Sequence, residues 1–160
     1  MKPVFQTVVN QGNGNCMQAA TASILDLELY QVPNFIEYLN SDKTNPHFEL
    51  MKFLNGLGYD YSIWTSSYRV EGGLELKQST EFTKEVLRAD GGVNGYFYAS
   101  VKSQTFDDTS HAVVIDKNMK IVHDPNPNQL SLKLNENDIL DIVTCCSNWH
   151  IDIDGKLIIE

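Results

Sequence analysis

The chain has 160 residues, 42% hydrophobic and 10% aromatic, and its 12 Lys and Arg against 21 Asp and Glu leave a net charge of −9. That length fits one domain, at roughly 100–200 residues per domain, and such a chain buries about 70% of its unfolded surface, so a multi-domain machine and intrinsic disorder are both excluded. The negative balance opposes the electrostatic attraction behind most nucleic-acid and anionic-lipid binding, and neither nucleic acid nor a membrane is an expected partner.

An extended opening over residues 4–9 leads to the small-residue loop Asn10-Gln11-Gly12-Asn13-Gly14-Asn15. An Ala-rich stretch from about Cys16 to Leu27 then follows Asn15, a capping residue, and reads as a helix buried on most sides. A short helix is expected over residues 33–39. A second starts at Pro46, with Asn45 as cap and Gly56 and Gly58 at its exit, and a third spans residues 80–89 and stops at Gly91-Gly92. From there on the runs are β-branched or aromatic and separated by turn residues: 96–101, 111–115, 119–123, 138–145, and a closing hairpin of 149–154 and 156–159 turned at Asp154-Gly155. Helices first and antiparallel strands second make an α+β domain, with residues 1–92 as its helical part and 93–160 as its sheet.

Cys16 stands at a predicted helix start, where exposed N–H groups and the positive end of the helix dipole favour a thiolate. Gly12 and Gly14 let the backbone turn sharply beside it, and the Gln11 amide can donate a hydrogen bond to a developing oxyanion. The same residue types also describe a buried structural cysteine after a turn, so the chemical reading needs a base. Of the four histidines, His47 falls in a first helical turn and His150 in a late strand, as surface or satisfied core groups. His111 and His123 flank the turn Asp116-Lys117-Asn118. A two-residue loop at Lys117-Asn118 sets Asp116 opposite Met119, Val113 opposite Val122 and His111 opposite Asp124, close enough for a cross-strand hydrogen bond. His123 then points to the other face. A four-residue loop keeps this register, whereas a three-residue loop pairs His111 with His123 instead. In the first register the chain supplies a nucleophile (Cys16), a base (His111) and an orienting carboxylate (Asp124) in that order.

At these residues the sequence resembles the papain-like cysteine peptidase superfamily, in its small, C39-like branch. Gln11 and Gly14-Asn15-Cys16 match the oxyanion glutamine and helix-start nucleophile, Ser110-His111-Ala112-Val113-Val114 the strand bearing the base, and Val122-His123-Asp124-Pro125 the strand ending in the third triad member. The blocks Pro3-Val4-Phe5-Gln6-Thr7, Gly14-Asn15-Cys16, Ala22-Ser23 and Val32-Pro33-Asn34-Phe35 also resemble small phage and bacterial proteins. The chain departs from papain proper in having Gly14-Asn15-Cys16-Met17 in place of the C-G-S/A-C-W/Y signature and Gln11 five residues before Cys16 rather than six. The resemblance implies a helical subdomain carrying Cys16, a sheet subdomain carrying His111 and Asp124, and a cleft between them. Residues 41–95 match nothing in this pattern and are where specificity is expected.

Other constellations point elsewhere. Cys145-Cys146 with His150 lacks zinc spacing, Asp107-Asp108 and Asp152-Ile153-Asp154 lack the glycine and bidentate glutamate of a calcium loop, and Gly72-Gly73 and Gly91-Gly92 lack the Lys-Ser/Thr of a phosphate loop. No metal or cofactor is expected, and three cysteines, two of them adjacent, do not read as a disulfide framework. With no apolar run near the roughly 18 residues of a membrane helix and no signal-peptide pattern behind Met1, the expectation is a complete cytoplasmic protein. The expected function is a cysteine-dependent hydrolase acting on a protein or peptide through a peptide or isopeptide-type amide, with Cys16, His111, Asp124 and Gln11 as its catalytic residues. The alternatives are a glutamine deamidase or transglutaminase-like acyltransferase on the same triad, and a non-catalytic, phage-encoded module that binds a host protein on a peptidase-like scaffold.

Overall fold

The computed structural model describes residues 1–37, 45–65, 67–69, 75–77, 79–145 and 148–160. Its helices are α1 (Cys16–Ile24), α2 (Pro46–Gly56) and α3 (Thr80–Asp90), and its strands are β1 (Ser62–Thr65), β2 (Ser67–Arg69), β3 (Glu75–Lys77), β4 (Tyr96–Lys102), β5 (Ser110–Asp116), β6 (Ile121–His123), β7 (Ile139–Thr144), β8 (Trp149–Ile151) and β9 (Leu157–Ile159). An antiparallel five-stranded sheet in the order β1-β7-β4-β5-β6 forms the centre, and β2-β3 and β8-β9 are separate two-stranded ribbons. The domain is therefore α+β with an antiparallel sheet. Of the short helix expected over residues 33–39, the described part is a turn closed by Glu37 N–H on the Asn34 carbonyl at 3.1 Å; the rest lies outside the described residues, as do Gly72-Gly73 and Cys146. Among the described residues no helix is long and apolar enough to cross a membrane.

The helix ends follow their sequence signals. Asn45 accepts the His47 N–H with Pro46 in the first turn of α2, Ser79 accepts the Phe82 N–H at the start of α3, and Gly91 at φ 77° closes α3 in the left-handed conformation that glycine adopts freely. Helix α1 is short, ending at Ile24 because Asp26 turns to φ 56°, and its small residues let it sink into the protein, with Met17 and Ala19 through Ile24 all buried. It packs with α2 on one face of the sheet, where Met17, Ala20, Leu50 and Leu54 meet Tyr98, Ala112 and Val114. On the other face Leu87 of α3 joins Phe97, Val101, Val113, Ile115 and Ile142. Strand β4, buried on both faces, is the spine between these clusters.

Two sequence expectations are corrected here. The division into a helical part ending at residue 92 and a sheet after it does not hold, because β1 is an edge strand of the central sheet, with Ser62 opposite Thr144 and Trp64 opposite Ile142. Trp64 then reaches α3, donating from Nε1 to Thr83 Oγ1 at 3.1 Å. The second correction is the register of the β5-β6 hairpin. Asp116 Oδ1 accepts the N–H groups of Asn118 and Lys120 and so holds a tight Asx-type turn, while Met119 adopts φ 62°. The loop becomes the three residues Lys117-Asn118-Met119, closed by the left-handed Met119, and Asp116 pairs with Lys120 rather than Met119. A further bulge at Val122 brings Ile121 opposite Ile115 and His123 opposite Val114.

Asp90, at the end of α3, ties the sheet to the C-terminal ribbon: its Oδ2 accepts Cys145 N–H at 2.7 Å and Trp149 Nε1–H at 2.8 Å, and its Oδ1 accepts Gly92 N–H at 3.1 Å. Removing a buried acceptor orphans these donors, at about 1–3 kcal/mol for a buried donor left unsatisfied. Asp90→Ala is expected to lower unfolding stability by about 3 kcal/mol in urea titration, and a loss below about 1 kcal/mol would contradict this role.

Candidate functional site

A cavity of about 400 Å³ is lined by Cys16 and Met17 of α1, His47 of α2, Tyr98 of β4, His111 of β5 and the N-terminal segment around Gln6 and Gly14. Cys16 opens α1, His111 is the second residue of β5, and Asp124 directly follows β6. His111 Nε2 and Asp124 Oδ1 lie 2.6 Å apart. Cys16 and the same imidazole act on each other's ionisation, His111 being among the influences that lower the thiol pKa and Cys16 among those that raise the imidazole's. Cys16, His111 and Asp124 are thus brought together in the order expected from the sequence, by a different register. Continued one residue beyond His123, the observed pairing sets Asp124 beside Val113 and makes it the diagonal neighbour of His111. Diagonal pairs lie about 7–8 Å apart at Cα, within reach of an imidazole. The loop and the bulge each move the register by one residue, and together they return Asp124 to the parity it shares with His111.

Asp124 is 1% exposed and held as a carboxylate on every side. Besides His111, its Oδ1 accepts Asn126 N–H at 2.9 Å and its Oδ2 accepts Ser131 N–H at 2.8 Å. Burial alone would raise its pKa, but the hydrogen bond and charge of His111 and these two amides hold it below the usual carboxylate range. His111 responds in the opposite sense: burial favours its neutral form, and the hydrogen bond to Asp124, aided by Cys16, outweighs that and pushes its pKa up to about 9. For Cys16 burial again works against charge and is outweighed by His111 and by the backbone groups of Ala112 and Met17, so the thiol pKa is lowered. Both shifts favour a thiolate–imidazolium pair.

Gln11 is not brought to this site. Its side chain is exposed and donates to the Asp107 carbonyl at 3.2 Å, bridging the N-terminal loop to the β4-β5 loop. The glutamine that lines the cavity is Gln6, 7% exposed, whose Nε2 donates to the Val8 carbonyl at 2.8 Å and whose Oε1 is buried with no hydrogen-bond partner among the described residues. Sequence spacing missed Gln6 because the N-terminal arm doubles back. Gln6 N–H bonds the Pro125 carbonyl at 2.9 Å, next to Asp124, and Asn15 N–H bonds the Val8 carbonyl at 3.3 Å. His123, the other hairpin histidine, is buried, donates from Nε2 to the Val4 carbonyl at 2.8 Å and meets the Phe5 ring edge-on at 5.2 Å. It anchors the arm and is not part of the cavity lining.

His47 also lines the cavity, its ring edge-on to Tyr98 at 6.0 Å, and burial pushes its pKa down against the pull of Asp141. His150 is exposed and pairs with Glu160 at 3.2 Å. Among the described residues no three His, Cys, Asp or Glu side chains converge as a metal site would require. The chain matches no protein-family profile, no curated protein and no solved structure.

Proposed function

We propose that this chain is a papain-like cysteine hydrolase that cleaves a peptide or isopeptide-type amide through an acyl-enzyme on Cys16. The observation that carries the reading is that Cys16, at the start of α1, and His111 line one cavity of about 400 Å³, with the buried Asp124 hydrogen-bonded to that imidazole at 2.6 Å. The Cys16 thiolate adds to the substrate carbonyl, and the electron pair moves to oxygen. The Cys16 backbone N–H and Gln6 Nε2 stabilise that oxyanion. As it collapses, the C–N bond breaks and His111 gives its proton to the leaving amine. Water then loses a proton to His111 and attacks the thioester, which releases the acid and returns the thiol to its starting state. Asp124 keeps the imidazole oriented and balances its charge throughout.

The test uses p-nitrophenyl acetate, which acetylates the thiolate and releases p-nitrophenolate without needing a protonated leaving group. Cys16→Ala is expected to abolish the p-nitrophenolate release above background and the acetyl adduct on the Cys16 peptide. Equal turnover in wild type and Cys16→Ala would sink the reading. In the same assay Gln6→Ala is expected to slow acetylation about 100-fold, the typical loss for one oxyanion donor, while Gln11→Ala stays within about twofold of wild type. The reverse pattern would return the oxyanion role to Gln11.

A further inference from the structure

Asn15 occupies the cap position of α1, yet its side chain makes no capping hydrogen bond to the helix. It is 3% exposed and engaged instead with the N-terminal arm and the Gln18 side chain. Its Oδ1 accepts both Thr7 N–H and Val8 N–H at 3.0 Å, and its Nδ2 donates to Thr7 Oγ1 and to Gln18 Oε1, each at 3.1 Å. The residues it grips follow Gln6 directly, and the residue after it is Cys16. Gly14 completes the grip: a Cβ there would stand 3.2 Å from the Val8 carbonyl, 3.3 Å from the Asn10 carbonyl and 3.5 Å from Gln6 Nε2. The Val8 carbonyl is the acceptor that holds the Gln6 amide.

From this arrangement we infer that Asn15 is a positioning residue for the oxyanion site: it clamps the arm so that the Gln6 amide and the Cys16 backbone N–H face one point in the cavity. The inference rests on the acyl-transfer reading above. A helix-start asparagine spent on the arm also leaves the first N–H groups of α1 free of a side-chain cap, as an anion-binding helix start requires. Asn15 touches neither thiol nor imidazole through any of its four hydrogen bonds, so its effect runs through Gln6.

A double-mutant cycle tests it, with Cys16-dependent p-nitrophenyl acetate acylation as one readout and iodoacetamide alkylation of Cys16 at pH 6.5 as the other. Alkylation needs the thiolate but forms no tetrahedral oxyanion. Asn15→Ala is expected to slow acylation at least about tenfold with its alkylation rate kept, and Asn15→Asp, which retains an acceptor for Thr7 and Val8, to return to within about threefold of wild type. Gln6→Ala/Asn15→Ala is expected to be no slower than Gln6→Ala alone, since residues acting through one another are not additive. Additive losses, or alkylation falling in step with acylation, would overturn the inference. If Asn15→Ala does not fold, Asn15→Ser carries the same cycle with Gln6→Ala. Loss of any His111 dependence in wild-type alkylation would remove the acyl-transfer reading itself, whereas an additive cycle with that dependence intact removes only the role of Asn15.

Discussion

At pH 6.5, iodoacetamide is expected to alkylate Cys16 about tenfold faster in wild type than in His111→Ala. A thiol with the ordinary pKa of about 8.5 is only about 1% thiolate at that pH, so a lowered pKa raises the reactive species, up to a ceiling of about 100-fold. A thiolate of lower pKa is a weaker nucleophile, with a Brønsted slope of about 0.4–0.5, and this offsets part of the gain. The sign follows from the site: His111 supplies the hydrogen bond and positive charge that overcome the cost of burying the Cys16 anion. Alkylation in wild type should persist well below pH 8 and in the variant should fall along an ordinary thiol curve. As pH rises through about 9 the imidazolium is lost while the thiolate remains, so alkylation is expected to stay high and the proposed amide cleavage, with His111 as its acid, to decline. Superimposable profiles for the two proteins would show that no such pair exists.

Asp124→Ala is expected to cost about 3–5 kcal/mol of unfolding stability at pH 7, the range for removing one partner of a buried ion pair. The carboxylate accepts from His111, Asn126 and Ser131 in a place that is 1% exposed, so its loss leaves a buried imidazole and two amide N–H groups without their acceptor. Because its pKa is depressed, this contribution is present above the ordinary carboxylate value of about 3.8 and is lost as pH falls through the lower folded value. The gap between wild type and Asp124→Ala in urea midpoints should therefore be widest near neutrality and close in strong acid. Asp124→Asn keeps the volume and one acceptor and should lose less stability. A gap below about 1 kcal/mol at pH 7 would show that Asp124 is dispensable to the fold.

Where local chemistry decides the outcome, the sequence was a good guide. Asn45-Pro46 and Ser79 start helices because a side-chain acceptor and a ring-fixed φ act within one turn, and the small residues after Cys16 allow a helix to be buried all round. The thiol, imidazole and carboxylate were legible because few residue types can do their chemistry. The rest depended on through-space terms. The hairpin register turned on whether the Asp116 side chain or a two-residue turn would satisfy the backbone, and Asp116 prevailed with two hydrogen bonds. Gln11 was the nearer amide along the chain, but the arm's bonds to Pro125 and Asn15 bring Gln6 to the cavity instead. Strand β1 carries a signal in Ser62-Ile63-Trp64-Thr65, whose β-branched and aromatic residues suit a sheet edge, though four residues are too few to stand out within the helical stretch.

The paired offsets of the β5-β6 hairpin bear on how this chain can vary over generations. A single inserted or deleted residue between His111 and Asp124 would turn the carboxylate to the opposite side of the sheet, while a change of two, or one compensated by gain or loss of a bulge, would not. Among related chains the length of this segment should thus drift in steps that preserve evenness, and a lineage with an odd step should carry either a second irregularity nearby or a substitute for Asp124.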